Sequence, residues 1–248
     1  MNEFRDKCVI VTGGAAGFGE AICRKFSAHG ASVVVADLNL EGAQAVASSL
    51  PAAIAFEIDV SDEAQNQAMA QAAVDAFGQI NVVCCNAGIP HRGNYMVRME
   101  VDEFDRMWAV NVRSIFLAAK YCSPHMPPGS SFVNTASIGG KRPRPGLTPY
   151  NASKAAVNTL TRGMAVEMAP NIRVNAVCPV SAPTGFDMTS LGVEHLSDEM
   201  NQKVIDGIPL GRRATPEDVA NSVYFLASDE AGFLTGVCLD VDGGRSIQ

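Results

Sequence analysis

What the chain lacks narrows it first. Its 7 cysteines form no Cys-x-x-Cys pair and no metal-ligand spacing, so neither a metal site nor a dithiol redox motif is expected. Most of them lie inside apolar runs and read as reduced, buried small hydrophobes of a cytoplasmic protein. No apolar run reaches the ~18 residues of a membrane helix. The opening MNEFRDK has no apolar leader core, so neither a membrane anchor nor export is expected. Basic charge is in deficit, with 19 Lys and Arg against 26 Asp and Glu and a net charge of −7. That removes any bulk attraction to nucleic acid or to an anionic membrane. Low-complexity stretches and long linkers are absent too. Charged residues make up 18% against 47% hydrophobic, the balance of a globular enzyme rather than a disordered chain.

What is present is an alternation of strands and helices. Strands are expected near 7–12, 31–37, 53–58, 80–85, 130–136, 172–178 and 237–240, and helices near 17–29, 40–50, 62–77, 102–123, 149–168 and 215–228. This pattern predicts an α/β fold, a doubly wound, mostly parallel sheet covered on both faces. One domain over residues 1–248 accommodates it.

The first unit carries a recognisable device. The apolar run CVIVT (8–12) leads into Gly13-Gly14-Ala15-Ala16-Gly17-Phe18-Gly19 and then a helical pattern that Gly30 can stop. Strand, glycine turn and helix is the context of a dinucleotide-binding loop. The glycines let backbone approach the pyrophosphate, and the helix N-terminus offers free N–H groups. A second run, SVVVAD, ends in Asp37, placed to accept hydrogen bonds from an adenosine ribose. An ordinary tight turn, with Asp37 as a helix cap, is the plainer alternative. Asp59-Val60 ends the third strand at the edge where ligands bind, although Asp59 could also cap the next helix. Asn86-Ala87-Gly88 ends the fourth strand with small residues suited to close approach.

Tyr150 lies four residues before Lys154 and thirteen after Ser137. On a helix that spacing stacks the phenol and the ammonium on one face. A free tyrosine titrates near ~10, and a neighbouring cation favours its phenolate, so the set can move a proton at an alcohol oxygen. A surface Tyr with a snorkelling Lys is the alternative, and Y-x-x-x-K alone does not exclude it.

Taken together, Thr12 to Gly19 (TGxxxGxG), Cys85-Asn86-Ala87-Gly88, the Tyr150/Lys154 pair, PLGRRATPEDVA (209–220), FLASDEAGFLTG (225–236) and DVDGG (240–244) resemble the short-chain dehydrogenase/reductase family over essentially the whole chain. The resemblance implies a seven-stranded Rossmann-type sheet and a tetrad of Asn111, Ser137, Tyr150 and Lys154. Tyr150 would be the acid/base, with Ser137 on the substrate oxygen. Lys154 would lower the Tyr150 pKa and hold the nicotinamide ribose. Asn111 would distort its helix and order a water chain toward Lys154. It also implies cofactor contacts at Gly13, Gly17, Phe18, Gly19, Asp37, Asp59, Val60, Asn86, Ala87, Gly88, Tyr150, Lys154, Pro179 and Thr184. A substrate lid near 180–210 and a homotetramer follow by the same analogy. NAD is favoured over NADP, because Asp37 would repel a 2′-phosphate and Ala15, Ala16, Leu38 and Asn39 supply no cation. One departure stands out. Val180 replaces the glycine that usually follows Pro179, and a valine does not take positive φ cheaply, so the backbone path there is expected to differ.

For the substrate, a basic group of His91, Arg92, Lys141, Arg142 and Arg144 stands out against the net charge of −7. It reads either as a solvated loop or subunit contact, or as a site for a carboxylate, sulfonate, phosphate or acidic carrier, with Arg92 as the clamp. Besides Arg92, Ser137 and Tyr150 are expected to touch the substrate. The function expected is NAD-dependent interconversion of a secondary alcohol and a ketone on a small polar, polyol-, sugar- or hydroxy-acid-like molecule. A 3-oxoacyl carrier-protein reductase using NADPH and a non-catalytic NAD-binding regulator are the alternatives.

Overall fold

β-Branched runs set the sheet. In the computed structural model, which describes residues 3–182 and 196–247, the strands are β1 (Cys8–Thr12), β2 (Ser32–Asp37), β3 (Ala53–Glu57), β4 (Val82–Cys85), β5 (Ser130–Thr135), β6 (Ile172–Pro179) and β7 (Cys238–Val241). All pairings are parallel, in the order β3-β2-β1-β4-β5-β6-β7. β1, β4 and β5 are buried throughout, as strands covered on both faces must be. The expected seven-stranded, doubly wound Rossmann-type sheet is thus present. The strand order reverses between β1 and β4, where both pair with each other but lead outward to opposite edges. Ligands of such sheets bind in the crevice at that point.

Helices α1 (Gly17–Ala28), α2 (Leu40–Ser48), α3 (Glu63–Phe77), α4 (Val101–Trp108), α5 (Ser114–Cys122), α6 (Thr148–Met168), α7 (Asp198–Asp206) and α8 (Pro216–Ala227) follow in order. Two apolar cores result, one on each side of the sheet. Phe4, Ile22, Phe26, Val223 and Leu226 lie in the core that joins α1 to α8. Ile10, Met69, Phe132, Val157 and Val174 lie in the other. The pleat sends Cys84 to the first core and Cys85 to the second. Burial pushes the Cys85 thiol up to about 12, so a buried hydrophobe is the role its surroundings support.

The helix expected over 102–123 is interrupted, as the resemblance implied, by a π-helical stretch at Ala109–Arg113, centred on Asn111, a poor helix former whose side chain serves another loop. Two local differences from the sequence expectation have physical causes. α3 is capped by Asp62, which accepts from Gln65 N at 2.9 Å, so Asp59 is not the cap. α7 was not expected. Its sequence, DEMNQKVID, is mostly polar and none of its residues is buried, although Val204 packs partly against the second core. The proposed lid near 180–210 is described only in part, because residues 183–195 lie outside the described residues. No described helix is long and apolar enough to cross a membrane.

Candidate active site

The glycine loop is shaped by close contact. Gly13 (φ +68°) and Gly17 (φ +57°) take left-handed backbone, which disfavours any side chain. A Cβ on Gly19 would overlap the Gly13 carbonyl and stand 2.9 Å from Asn86 Nδ2. Ala16 precedes α1 and offers no side-chain cap, so the first N–H groups of the helix are not satisfied by a side chain there and are suited to phosphate oxygens. Asp37 fastens the loop from β2. Its Oδ2 accepts from Ala15 N at 3.0 Å and its Oδ1 from Asn39 N at 2.9 Å. Asn39, not Asp37, caps α2 by accepting from Gly42 N. At the end of β3, Asp59 Oδ1 accepts from Ser61 N at 2.9 Å and Ser61 Oγ at 2.6 Å. The Ser61 hydroxyl bond holds its carboxyl below the usual range. Val60 beside it is buried.

The β4 end is tied to this loop. Thr12 Oγ1 accepts from Asn86 N and Ala87 N, both at 3.1 Å. Asn86 Nδ2 donates to Thr12 O at 3.0 Å and Gly13 O at 3.3 Å. Asn111, carried inward by the π-helical stretch, brackets Ile89: its Oδ1 accepts from Ile89 N at 2.8 Å and its Nδ2 donates to Ile89 O at 2.9 Å. Nδ2 also donates to Ser153 Oγ at 3.1 Å. A Cβ on Gly88 would lie 3.0 Å from Lys154 Nζ and 3.2 Å from Asn111 Oδ1. Only a glycine lets this turn pass so close to both.

Ser137 follows β5, and its Oγ accepts from Gly139 N at 3.0 Å. α6 starts at Thr148 with Pro149 in its first turn, where its missing N–H costs nothing, and brings Tyr150 and Lys154 to the same place. Both are buried, Tyr150 at 8% exposure and Lys154 at 4%. Lys154 Nζ stands 5.9 Å from the Tyr150 ring centre and donates to Thr135 O at 2.8 Å. Burial pushes the Tyr150 phenol up to about 12, while a hydrogen bond with Ser137 and the charge of Arg144 pull the other way. Burial also draws Lys154 down to about 8. In the protein alone, Ser137 and Arg144 pull the phenol down against burial, and Lys154 donates to the Thr135 carbonyl.

Ser137, Tyr150 and Lys154 share one cavity of about 330 Å³ with Gly13, Gly17, Phe18, Asn86, Ala87, Gly88 and Pro179, whereas Gly19, Asp37, Asp59, Val60 and Asn111 are not in its lining. Val180 lines it too. Its φ is not positive, and its N donates to Val241 O at 3.1 Å, so the valine extends the β6–β7 edge. Thr184 lies outside the described residues. Of the basic group, Arg144 alone lines the cavity. Arg92 is exposed outside that lining, with its N donating to Glu103 Oε1 at 3.4 Å. Lys141 pairs with Asp240 at 2.6 Å, Arg142 Nη1 donates to Arg245 O at 2.6 Å, and His91 is buried.

Several useful residues were not singled out from sequence. Thr12, Thr135 and Ser153 act through bonds that cross 74, 19 and 42 positions, which no local pattern announces. Thr12 opens the glycine motif, and Ser153 stands one turn from Tyr150. Arg144 was visible within the basic group, but no sequence feature ranked it above Arg92. The chain fits a dinucleotide: the loop leaves space that a Cβ would fill, an uncapped helix start faces it, and a carboxylate ends β2. No group of His, Cys, Asp or Glu suited to a metal ion occurs among the described residues.

A family described as Enoyl-(Acyl carrier protein) reductase matches residues 13–246. The chain is 47% identical over 245 residues to 4-formylbenzenesulfonate dehydrogenase of Comamonas testosteroni, covering 96% of this chain and 97% of that protein. It is 38% identical to meso-2,3-butanediol dehydrogenase of Serratia marcescens, covering 98% of this chain and 96% of that one. Among solved structures, 3-ketoacyl-(acyl-carrier-protein) reductase from Brucella melitensis, complexed with NADH, superposes with a TM-score of 0.91 at 39% identity, covering 98% and 99% of the two chains.

Proposed function

Because the chain belongs to the short-chain dehydrogenase/reductase family of oxidoreductases acting on CH–OH groups, we propose that it interconverts a small polar alcohol and its carbonyl with NAD. The observation that carries this reading is the hydrogen bond of half-buried Ser137 with buried Tyr150, and buried Lys154 one helical turn on. Tyr150 Oη takes the alcohol proton in oxidation and returns it in reduction. Ser137 Oγ donates to the substrate oxygen and stabilises the charge that develops there. Lys154 is held by Thr135 O at 2.8 Å, and Asn111 holds the Ile89 backbone beside it, which keeps the turn and the ammonium in register. When bound, the nicotinamide supplies the hydride acceptor or donor. Gly13, Gly17, Phe18, Gly19, Asn86, Ala87, Gly88 and Pro179 are the residues we assign to hold it, with Asp59 and Val60 at the adenine. Asp37 favours NAD, since a 2′-phosphate there would meet a carboxylate.

The relatives' names bear on the substrate. One carries an aldehyde and a sulfonate on a ring and another is a vicinal diol, so a compact polar alcohol, polyol- or hydroxy-acid-like, is the class we assign. The same proposal treats residues 1–248 as one cytoplasmic unit acting as a homotetramer. A second reading, 3-oxoacyl carrier-protein reduction, is favoured by the similar Brucella melitensis structure and opposed by Asp37 if NADPH is the donor.

The test is initial rate at 340 nm over alcohols, polyols, hydroxy acids and an acetoacetyl thioester, each with NAD(H) and NADP(H). NAD-linked turnover of an alcohol is expected. Tyr150→Phe should lose about 10²–10⁴-fold in kcat while still binding NADH. Full activity in that variant would remove Tyr150 from the chemistry. Preference for NADPH with the thioester would establish the second reading.

A further inference from the structure

We propose that Arg144 binds an anionic group, a carboxylate or sulfonate, on the part of the substrate remote from the reacting carbon, and so selects acid-bearing alcohols or carbonyl compounds. This rests on the reading of the cavity as an alcohol–carbonyl site. The first argument is the cavity's charge. Among the described lining residues Arg144 and Lys154 are the charged ones. Lys154 is committed to the inner end, with its ammonium on Thr135 O at 2.8 Å and against the Gly88 turn. Arg144 is the cation on the loop that leads into α6. In a chain of net charge −7, long-range attraction cannot draw in an anion, so recognition of one requires a local cation at the cavity.

The second argument is how Arg144 is presented. Pro143 and Pro145 flank it and restrict its backbone. Its carbonyl accepts from Asn151 Nδ2 at 3.0 Å and Leu147 N at 3.3 Å. Two residues on, Gly146 O accepts from Asn94 N at 3.0 Å, which ties the loop to the segment that follows β4. The guanidinium thus starts from a fixed base, and its charge reaches the Tyr150 hydroxyl. A guanidinium suits two oxygens of one oxyanion, which an ammonium does not match. The third argument is the wall around it. Ile89, Pro90, Ile138, Val180 and Ala182 are apolar, so part of the wall suits an apolar stretch between the reacting oxygen and the anion.

Calorimetric binding to the enzyme saturated with NADH tests this without requiring turnover. The probes are benzenesulfonate and its neutral shape analogue methyl phenyl sulfone. Benzenesulfonate should bind the unaltered protein, and Arg144→Gln should weaken it at least about tenfold, the scale of one charge-assisted bond. Arg144→Lys should fall between the two. The sulfone should bind all three proteins alike, which also shows that the variants are folded. No binding of benzenesulfonate to the unaltered protein would overturn the inference, as would an equal loss for the sulfone. A loss caused by Arg92→Gln and not by Arg144→Gln would overturn it as well. Arginine-dependent sulfonate binding without turnover of any alcohol would instead count against the catalytic reading and leave this one standing.

Discussion

The two ends of the cavity are built from different material. The end near β1 and β4 is made of backbone: glycines in left-handed conformations, main-chain N–H groups at a helix start, and side chains such as Thr12, Asp37 and Asn86 whose bonds go to that backbone. The end toward the α6 loop is made of side chains, Ile89, Ile138, Arg144 and Val180, on segments whose paths depend on distant partners. Backbone sites tolerate few residues, so their sequence is constrained and recognisable. Side-chain sites can be built in many ways, which lets one scaffold serve many substrates. The sharpest way to break this contrast is to show that the first end tolerates change or that the second does not respond to it.

The largest effect is expected at Gly19. Even an alanine there would overlap the Gly13 carbonyl, and relief requires moving backbone rather than a flexible side-chain end. Overpacking of this sort costs on the order of 1–3 kcal/mol or more. Gly19→Ala should lose NADH binding by well over tenfold, read as NADH fluorescence, with a lower melting temperature. Unchanged binding would mean that the loop adapts and that the backbone description of this end is too rigid.

A smaller change is expected at Asp37, where both oxygens accept from backbone N–H groups of the two adjoining turns. Asp37→Asn keeps the shape, removes the charge and leaves one of those donors facing an amide. The ratio of kcat/KM with NAD to that with NADP should fall by about tenfold, the size of one screened charge contact of ~1–2 kcal/mol. Melting a few degrees lower is also expected. A ratio that does not move would assign cofactor choice to other residues.

The same contrast explains what could be read in advance. Apolar runs made all seven strands legible, most plainly the buried ones β1, β2 and β4; β3 and β7 were legible although none of their residues is fully buried. Glycines at 13, 17 and 19 and the Ser137, Tyr150 and Lys154 spacing were legible because the chemistry fixes residue type. α7 was not, since none of its few apolar residues is fully buried. Nor was the choice among five basic residues. Arg92 and Arg144 look alike in a string, and what separates them is that Asn151 and Leu147 hold the Arg144 carbonyl while Arg92 lies against Glu103 on the outside. Val180 follows the rule about glycine: the valine avoids positive φ, and its N–H pairs with Val241 O.

The smallest effect tests whether the substrate end also touches the chemistry. Burial holds Tyr150 up at about 12, and the Arg144 charge is one of the influences pulling it down. Removing that cation favours the neutral phenol, so the pKa should rise. Oxidation needs the phenolate, and its rate climbs as pH rises through the controlling pKa. In Arg144→Gln the rising limb of kcat against pH should therefore move to higher pH. The falling limb for carbonyl reduction, which needs the protonated phenol, should move the same way. At fixed pH on the rising limb the loss should be less than about tenfold, as expected for a screened charge several ångströms away. A neutral substrate gives the cleanest reading, because a bound anion would itself offset the Arg144 charge. Limbs that stay in place with a neutral substrate would confine Arg144 to substrate selection and keep the two ends of the cavity electrostatically separate.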